Sequence, residues 1–331
     1  MIITRTPFRV SLFGGGSDYP QWYEKNGGAV LGFAINKYCY ITLRPLPPFF
    51  EHRHRIVYSR IETVNNIAEI EHPAVRNILE YRDVDFGVEV HHDGDLPARS
   101  GLGSSSSFTV GLLNALSAQK GRMQSKQQLA QEAIHIEQNV IRENVGSQDQ
   151  VWAAYGGLNR IDFRADGAID VTGLVLDKER RSALMDRMFL CFTGFSRFAS
   201  DMAAKKIANL EKKAADLKAM MAMVDQAQAI LQNPATDLSE LGKLLHESWQ
   251  MKRSLSDVVS NDAIDAIYEA GRTAGATGGK LLGAGSGGFM LFYVEPERRK
   301  ALAESLRKLV QVDIDVDAAG SKVVVYEPDG V

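Results

Sequence analysis

The chain has 331 residues, 45% of them hydrophobic and 24% charged, with a formal net charge of −3. That length suits two domains with separate cores, and the composition is that of an ordinary globular protein. No basic field favours nucleic acid or an anionic membrane surface, and no apolar run approaches the length of a bilayer span.

The chain opens on MIITRTPFRV, which has neither an apolar leader nor a cleavage site, so a cytoplasmic protein is expected. Residues 3–13, ITRTPFRVSLF, read as a strand that runs into the glycines 14–16. Residues 27–46 are rich in β-branched and aromatic side chains and read as a pair of strands. FGVEVHH, 86–92, alternates apolar and polar, which predicts a strand with one buried face. After it comes PARSGLGSSSS, 97–107, and then a helical spacing of Phe108, Leu112 and Leu116 that ends near Gly121.

Ser125 with Gln128 forms a capping-box pattern, which predicts a helix through residues 129–141. From about residue 180 the character changes. FLCFTGF, 189–195, reads as a strand, and helical patterns dominate 201–274. A glycine-rich turn then feeds the strand FMLFYV, and a helix and the strand KVVVYEP follow. Cys39 and Cys191 each lie in an apolar strand-like run, which predicts reduced core thiols rather than a disulfide framework.

The stretch 97–107 sits at a strand–loop–helix junction. Free backbone N–H groups and the positive end of a helix suit phosphate there, and serine hydroxyls can reach phosphate oxygens or Mg²⁺. Taken alone, the stretch is read first as a serine-rich cap on a small-residue turn, because such turns are common. Two other phosphate motifs are excluded. Gly279-Lys280 and Gly242-Lys243 are followed by leucine, so neither is a Walker A loop. Gly283, Gly285 and Gly288 spell GxGxxG, but a strand follows instead of the helix that a dinucleotide fold needs.

Three segments, TPFRVSLFGGGSDY, PARSGLGSSSS and KLLGAGSGGF, resemble in order and position the three motifs of the GHMP kinase family. Within it, GGAVLGFAINKY, QDQVWAAYGGLN and FTGFSR resemble the sugar-1-kinases that act on D-glycero-D-manno-heptose 7-phosphate. The resemblance implies an α+β fold of two domains. Residues 1–183 would form a ribosomal-protein-like ATP-binding domain with a left-handed βαβ unit, and 184–331 a ferredoxin-like domain. The active site would lie in the cleft between them. It also implies ATP and Mg²⁺, transfer to an anomeric hydroxyl, and a 1,7-bisphosphate product that serves nucleotide-activated heptose.

Carried over residue by residue, the family's middle motif assigns ATP phosphates to Ser100, Gly101, Leu102, Gly103, Ser104, Ser105, Ser106 and Ser107. It assigns Mg²⁺ to Ser105 and Glu137. Glu137 falls in the apolar stripe of Ala130, Ala133, Ile134 and Ile141, where a carboxylate needs a partner; Glu132 and Glu143 are expected in solvent. Asp149 matches the catalytic aspartate, as general base or as orienter of the hydroxyl. Arg9 is the permanent cation beside it, and cannot be a base. The sugar is expected at Gly16, Ser17, Asp18, Gly285, Ser286, Gly287 and Arg197.

A sugar phosphate needs further cations, for which Arg53, Arg55, Lys252 and Arg253 are candidates beside Arg197. The partners expected are thus ATP and a sugar or sugar phosphate, with no nucleic acid and no membrane; a homodimer stays open. An L-fucose or galactose specificity, a non-catalytic ATP and sugar sensor, and a decarboxylase of the superfamily are the alternatives. The presence of Asp149, Arg9 and Glu137 together disfavours the sensor.

Overall fold

The computed structural model describes residues 1–194, 213–256 and 258–328. Its first sheet is built on two long antiparallel strands, β1 (Ile2–Phe13) and β2 (Gly28–Pro45), with Arg9 opposite Ala34. Between them lie the glycine turn and helix α1 (Pro20–Asn26), whose first residue is a proline with its φ already set for a helix. The run 27–46 is one strand, not the expected pair. β1 holds one edge throughout, while the other is shared by β6 (Leu158–Phe163) along residues 28–33 and β5 (Val88–Gly94) along 39–45. No local signal carries such pairing, because the partners lie far away in sequence.

β3 (His54–Val57) runs parallel to β5 and is joined to β4 (Ile61–Val64), with α2 (Pro73–Tyr81) in the crossover; β7 (Ile169–Gly173) pairs with β6. Helix α3 (Ser104–Gln119) buries nearly every position from Ser106 to Ala118. A helix apolar all round must be covered on several sides. It lies on β1 and β2, with α4 (Lys126–His135) and α5 (Gln148–Tyr155) against it. The capping box holds: Ser125 Oγ accepts from the Gln128 backbone N–H at 3.2 Å, and Gln128 Oε1 from the Ser125 N–H at 2.9 Å.

The helix begun there does not run regularly to residue 141. After His135 it widens into a π turn, Ile136–Val140. Single π turns inside helices recur at functional sites, and this one carries Glu137.

The second sheet has the order β11-β8-β10-β9, all neighbours antiparallel, from β8 (Met188–Phe192), β9 (Ala276–Leu281), β10 (Phe289–Val294) and β11 (Val310–Val312). The helices of this half are α6 (Lys178–Asp186), α7 (Ala214–Gln232), α8 (Ser239–Ser254), α9 (Asp262–Thr273) and α10 (Pro296–Ser305). Trp249, Tyr268 and Phe292 fill its own core.

The two sheets divide between β7 and β8 with one departure, and the expected boundary at 183/184 falls within α6. β12 (Lys322–Tyr326) returns to the first sheet and pairs with β1, Ile3 opposite Val325. The expected second domain thus supplies an edge to the first. Cys39 and Cys191 are buried free thiols in different sheets. Among the described residues, no helix is long and apolar enough to cross a membrane.

Candidate active site

A cavity of about 270 Å³ opens where the end of β1, the loop 97–103 and the turn 282–288 meet. Backbone geometry dictates that meeting. Gly101 (φ +83°) and Gly283 (φ +74°) lie face to face: a Cβ on Gly101 would sit 2.5 Å from Leu282 O, and one on Gly283 2.5 Å from Gly101 Cα. Neither position tolerates a side chain, so the loop of one sheet rests on the turn of the other. One backbone bond fastens the contact, Phe289 N–H to Ser100 O at 3.1 Å, and another ties the loop to β1, Arg9 N–H to Leu102 O at 3.0 Å.

The serines divide into roles. Ser104 and Ser105 line the cavity at the start of α3, and Gly103 caps the helix in a left-handed conformation. Ser107 is buried and its Oγ donates to Pro7 O at 2.8 Å, which ties α3 to β1. Ser100 and Leu102 are also buried. Ser106 Oγ donates to Glu137 Oε2 at 2.9 Å.

Glu137 is fully buried, and Oε2 also accepts from Gln150 Nε2 at 2.5 Å; Oε1 makes no hydrogen bond of ordinary geometry, although the Thr109 hydroxyl beside the carboxylate favours its charged form. Burial pushes its carboxyl up to about 7, despite the hydrogen bonds that favour the charged form. The serine joined to Glu137 is therefore Ser106, one residue beyond the expected Ser105, which is exposed. The helical phase explains it: Ser106 is buried at the cavity's edge on the core side of α3, and Ser105 is exposed within the cavity.

Across the cavity floor Arg9 and Asp149 form a two-pronged ion pair. Arg9 Nε donates to Oδ1 and Nη2 to Oδ2, both at 2.7 Å, and Nη1 donates to Gly101 O at 2.6 Å. A planar guanidinium matches a carboxylate in this way, and a lysine cannot. Arg9 is 5% exposed, while the Asp149 side chain keeps 25% of its surface open. Each carboxylate oxygen has a second lone pair, so Asp149 can still accept a bond from a ligand hydroxyl.

Matches with known proteins bear on this arrangement. Residues 65–157 match the model of the GHMP kinases N terminal domain and residues 223–311 that of the GHMP kinases C terminal domain. The D-glycero-alpha-D-manno-heptose 7-phosphate kinase of Campylobacter jejuni is 31% identical over 93% of this chain and 93% of its own length. The chain belongs to the GHMP kinase family. A putative sugar kinase structure from Campylobacter jejuni superposes with a TM-score of 0.69 at 26% identity, covering 97% of each chain. The fold is also that of a D-glycero-D-manno-heptose 1-phosphate kinase from Bacteroides thetaiotaomicron, at a TM-score of 0.80, 22% identity, and coverage of 99% and 100%.

In this GHMP kinase the expected substrate residues separate. Gly16 and Asp18 line the cavity. Asp18 is 2% exposed: Oδ1 accepts from the Gly16 N–H at 2.8 Å and Oδ2 from Gln148 Nε2 at 2.7 Å, which fixes its carboxylate at the cavity wall. Tyr19 lines the same wall, and burial beside the Asp18 carboxylate holds its hydroxyl protonated far above the ordinary value, as a donor.

Ser17 points elsewhere. It is fully buried, and its Oγ bonds to Gly14 O, Ala29 O and Ala29 N at 2.9, 3.0 and 3.1 Å, which closes the glycine turn onto β2. In the third motif, Gly283 and Ala284 line the cavity. Gly285 and Ser286 rest on residues 258–259 instead: Ser286 N–H donates to Val259 O at 3.0 Å and its Oγ to Val258 O. Gly287 is likewise not part of the lining. These four residues frame the site without facing the cavity.

Of the candidate cations, Lys252 lines the cavity, its Nζ donating to Leu281 O and Gly283 O at 2.7 Å. Arg53 is tied to Asp85 O, Arg55 pairs with Glu89 and Arg253 with Asp265, all away from it. Arg197 lies outside the described residues. Glu132 pairs with Arg82 at 2.7 Å, and Glu143 lines the cavity with its carboxyl raised by burial. The reading of the sequence missed Lys280, Ser11 and Gln150. Lys280 had a signal, since it opens the third motif, but Gly-Lys was weighed only as part of a Walker loop.

Proposed function

We propose that this protein is an ATP-dependent sugar kinase that phosphorylates the anomeric hydroxyl of D-glycero-D-manno-heptose 7-phosphate. The observation that carries this reading is the Arg9–Asp149 pair, set in one cavity with the serine loop on one side and Gly16, Asp18 and Tyr19 on the other. The likeness to the Campylobacter jejuni heptose 7-phosphate kinase over nearly the whole of both chains supports the choice of sugar.

In this reading the γ-phosphate of ATP lies at Gly101–Ser106, against backbone N–H groups at the start of α3. Asp149 accepts a hydrogen bond from the anomeric hydroxyl and takes its proton as the oxygen attacks the γ-phosphorus. The bond from that phosphorus to the β,γ-bridging oxygen breaks, and ADP leaves. Arg9 fixes the Asp149 carboxylate in place through two parallel hydrogen bonds. Phosphoryl transfer demands little more than such positioning and charge compensation.

Mg²⁺ fits the residues present. Oε1 of buried Glu137, which makes no hydrogen bond of ordinary geometry, is a hard oxygen donor that needs a cation, and Ser106 stands beside it. Mg²⁺ bound there would offset negative charge on the ATP phosphates. The group of three or more acidic or imidazole ligands that other metals favour is absent among the described residues, which suits an ion held largely by phosphate and water.

The test is ADP release with Mg-ATP over a panel of heptose 7-phosphate, fucose, galactose and mannose, with Asp149→Asn beside the wild type. Turnover of the heptose phosphate, reduced roughly 10²–10⁴-fold in the variant while ATP still binds, is expected. Preference for fucose or galactose would discard the choice of sugar. ATP binding without turnover of any sugar would replace the enzyme with a sensor.

A further inference from the structure

The floor of the cavity continues past the Arg9–Asp149 pair. Arg9 and Ser11 are two residues apart on β1, so they share a face of the strand at about 7 Å separation. Both line the cavity. Ser11 is 8% exposed, and its Oγ is buried with no hydrogen-bond partner. A buried hydroxyl in that state is uncommon and points to a ligand that completes it.

One residue further along, Leu12 O accepts from Lys280 Nζ at 2.7 Å. Lys280 is 3% exposed and also lines the cavity, at the end of β9. The other cavity lysine, in the last turn of α8, is placed differently. Lys252 is fastened to Gly283, which rests on Gly101, so it belongs to the side of the serine loop. Lys280 is fastened to the part of β1 that enters the glycine turn, on the side of Gly15 and Gly16.

We propose that Lys280 and Ser11 form the receptor for a phosphate carried at the far end of the sugar, and that they make this enzyme select a sugar phosphate over the plain sugar. The inference rests on the sugar-kinase reading above and deepens it. An ammonium group and a hydroxyl donor stand on the substrate side of the reacting pair, about two to three strand residues from Arg9, or 7–10 Å. That span matches the reach from the anomeric oxygen to a terminal phosphate on a hexose or heptose. Lys280 is anchored by a carbonyl, so it needs little ordering when the phosphate arrives. A buried ammonium–phosphate bond is among the stronger polar contacts, whereas a plain terminal hydroxyl there would leave the site's donors poorly matched.

The experiment compares kcat/KM for matched pairs, heptose 7-phosphate with heptose and mannose 6-phosphate with mannose. The proteins are the wild type, Lys280→Met, Lys280→Arg and Ser11→Ala. The wild type is expected to prefer a phosphorylated member. In Lys280→Met that preference falls about 10- to 100-fold through KM for the phosphorylated sugar. In Ser11→Ala it falls by a smaller factor, and Lys280→Arg retains part of it.

Ser11→Ala removes a hydroxyl that makes no bond in the protein, so it keeps the test valid if Lys280→Met does not fold. A preference unchanged in Ser11→Ala and in whichever Lys280 variants fold, or a wild type that takes plain sugars, would overturn the proposal. Preference for mannose 6-phosphate with the variant effects intact would discard the heptose and keep the phosphate receptor. Preference for heptose 7-phosphate without them would do the reverse.

Discussion

Replacing Glu137 with glutamine tests the proposed metal site through stability as well as metal binding. The carboxyl lies above its ordinary value of 4.5, at about 7, because it is fully buried. Below pH 4.5 it is protonated in the folded and unfolded chains alike, and nothing is lost. Between 4.5 and about 7 the unfolded chain ionises and the folded one resists, so stability falls as pH rises, and above 7 the loss is constant. The interval corresponds to about 3 kcal/mol. Glutamine has the same shape, its amide oxygen can accept from Ser106 and Gln150 as Oε2 does, and it cannot ionise.

In urea unfolding without divalent ions, Glu137→Gln should therefore be more stable than the wild type at pH 8. The gain there should exceed that at pH 5 by about 2 kcal/mol. The same variant should bind Mn²⁺ in the presence of ADP at least tenfold more weakly, read by titration calorimetry. A stability difference that does not change with pH would refute the buried-charge argument, and unchanged Mn²⁺ affinity would remove Glu137 from the metal site.

Ser106→Ala should weaken Mg-ATP binding more than Ser105→Ala, because only Ser106 bonds Glu137; equal effects in titration calorimetry would contradict the assignment. Ser17→Ala should cost about 1–3 kcal/mol of stability, since it strips hydrogen bonds from a buried turn, and should leave KM for the sugar within about twofold. A large KM change at normal stability would return Ser17 to the substrate. Gly101→Ala should lose about 2 kcal/mol or more, measured by urea unfolding, because its φ is +83° and the added carbon meets Leu282 O at 2.5 Å.

The sequence disclosed what local chemistry records. A capping box, a helix begun on serines and three glycine-bearing segments can be read from neighbours along the chain, and Arg9, Asp149, Asp18 and the serine loop do converge on one cavity. What stayed hidden depends on packing. Ser17 and Asp18 are adjacent and both polar, yet one closes a turn and the other faces the cavity, a choice made by Ala29 and Gln148. The π turn at Glu137 has no residue signature among ordinary helix formers. Lys280 becomes part of the site only because its ammonium group meets a carbonyl 268 residues away in the chain. The domain limit likewise hid the pairing of β12 with β1, since strand propensity does not name a partner.

That pairing sets an order on folding. β1 carries Arg9 and receives β12 along one edge, and Met1 bonds to Glu327, 326 positions away in the chain. Contacts of such separation close late, because the intervening chain must first be gathered in. During synthesis the first sheet can collapse around β2, β5 and β6. Strand β1 gains its outer neighbour only after residue 326 has left the ribosome. Until then a nascent chain cannot hold a finished first sheet, and the second sheet has every strand it needs before the first one does.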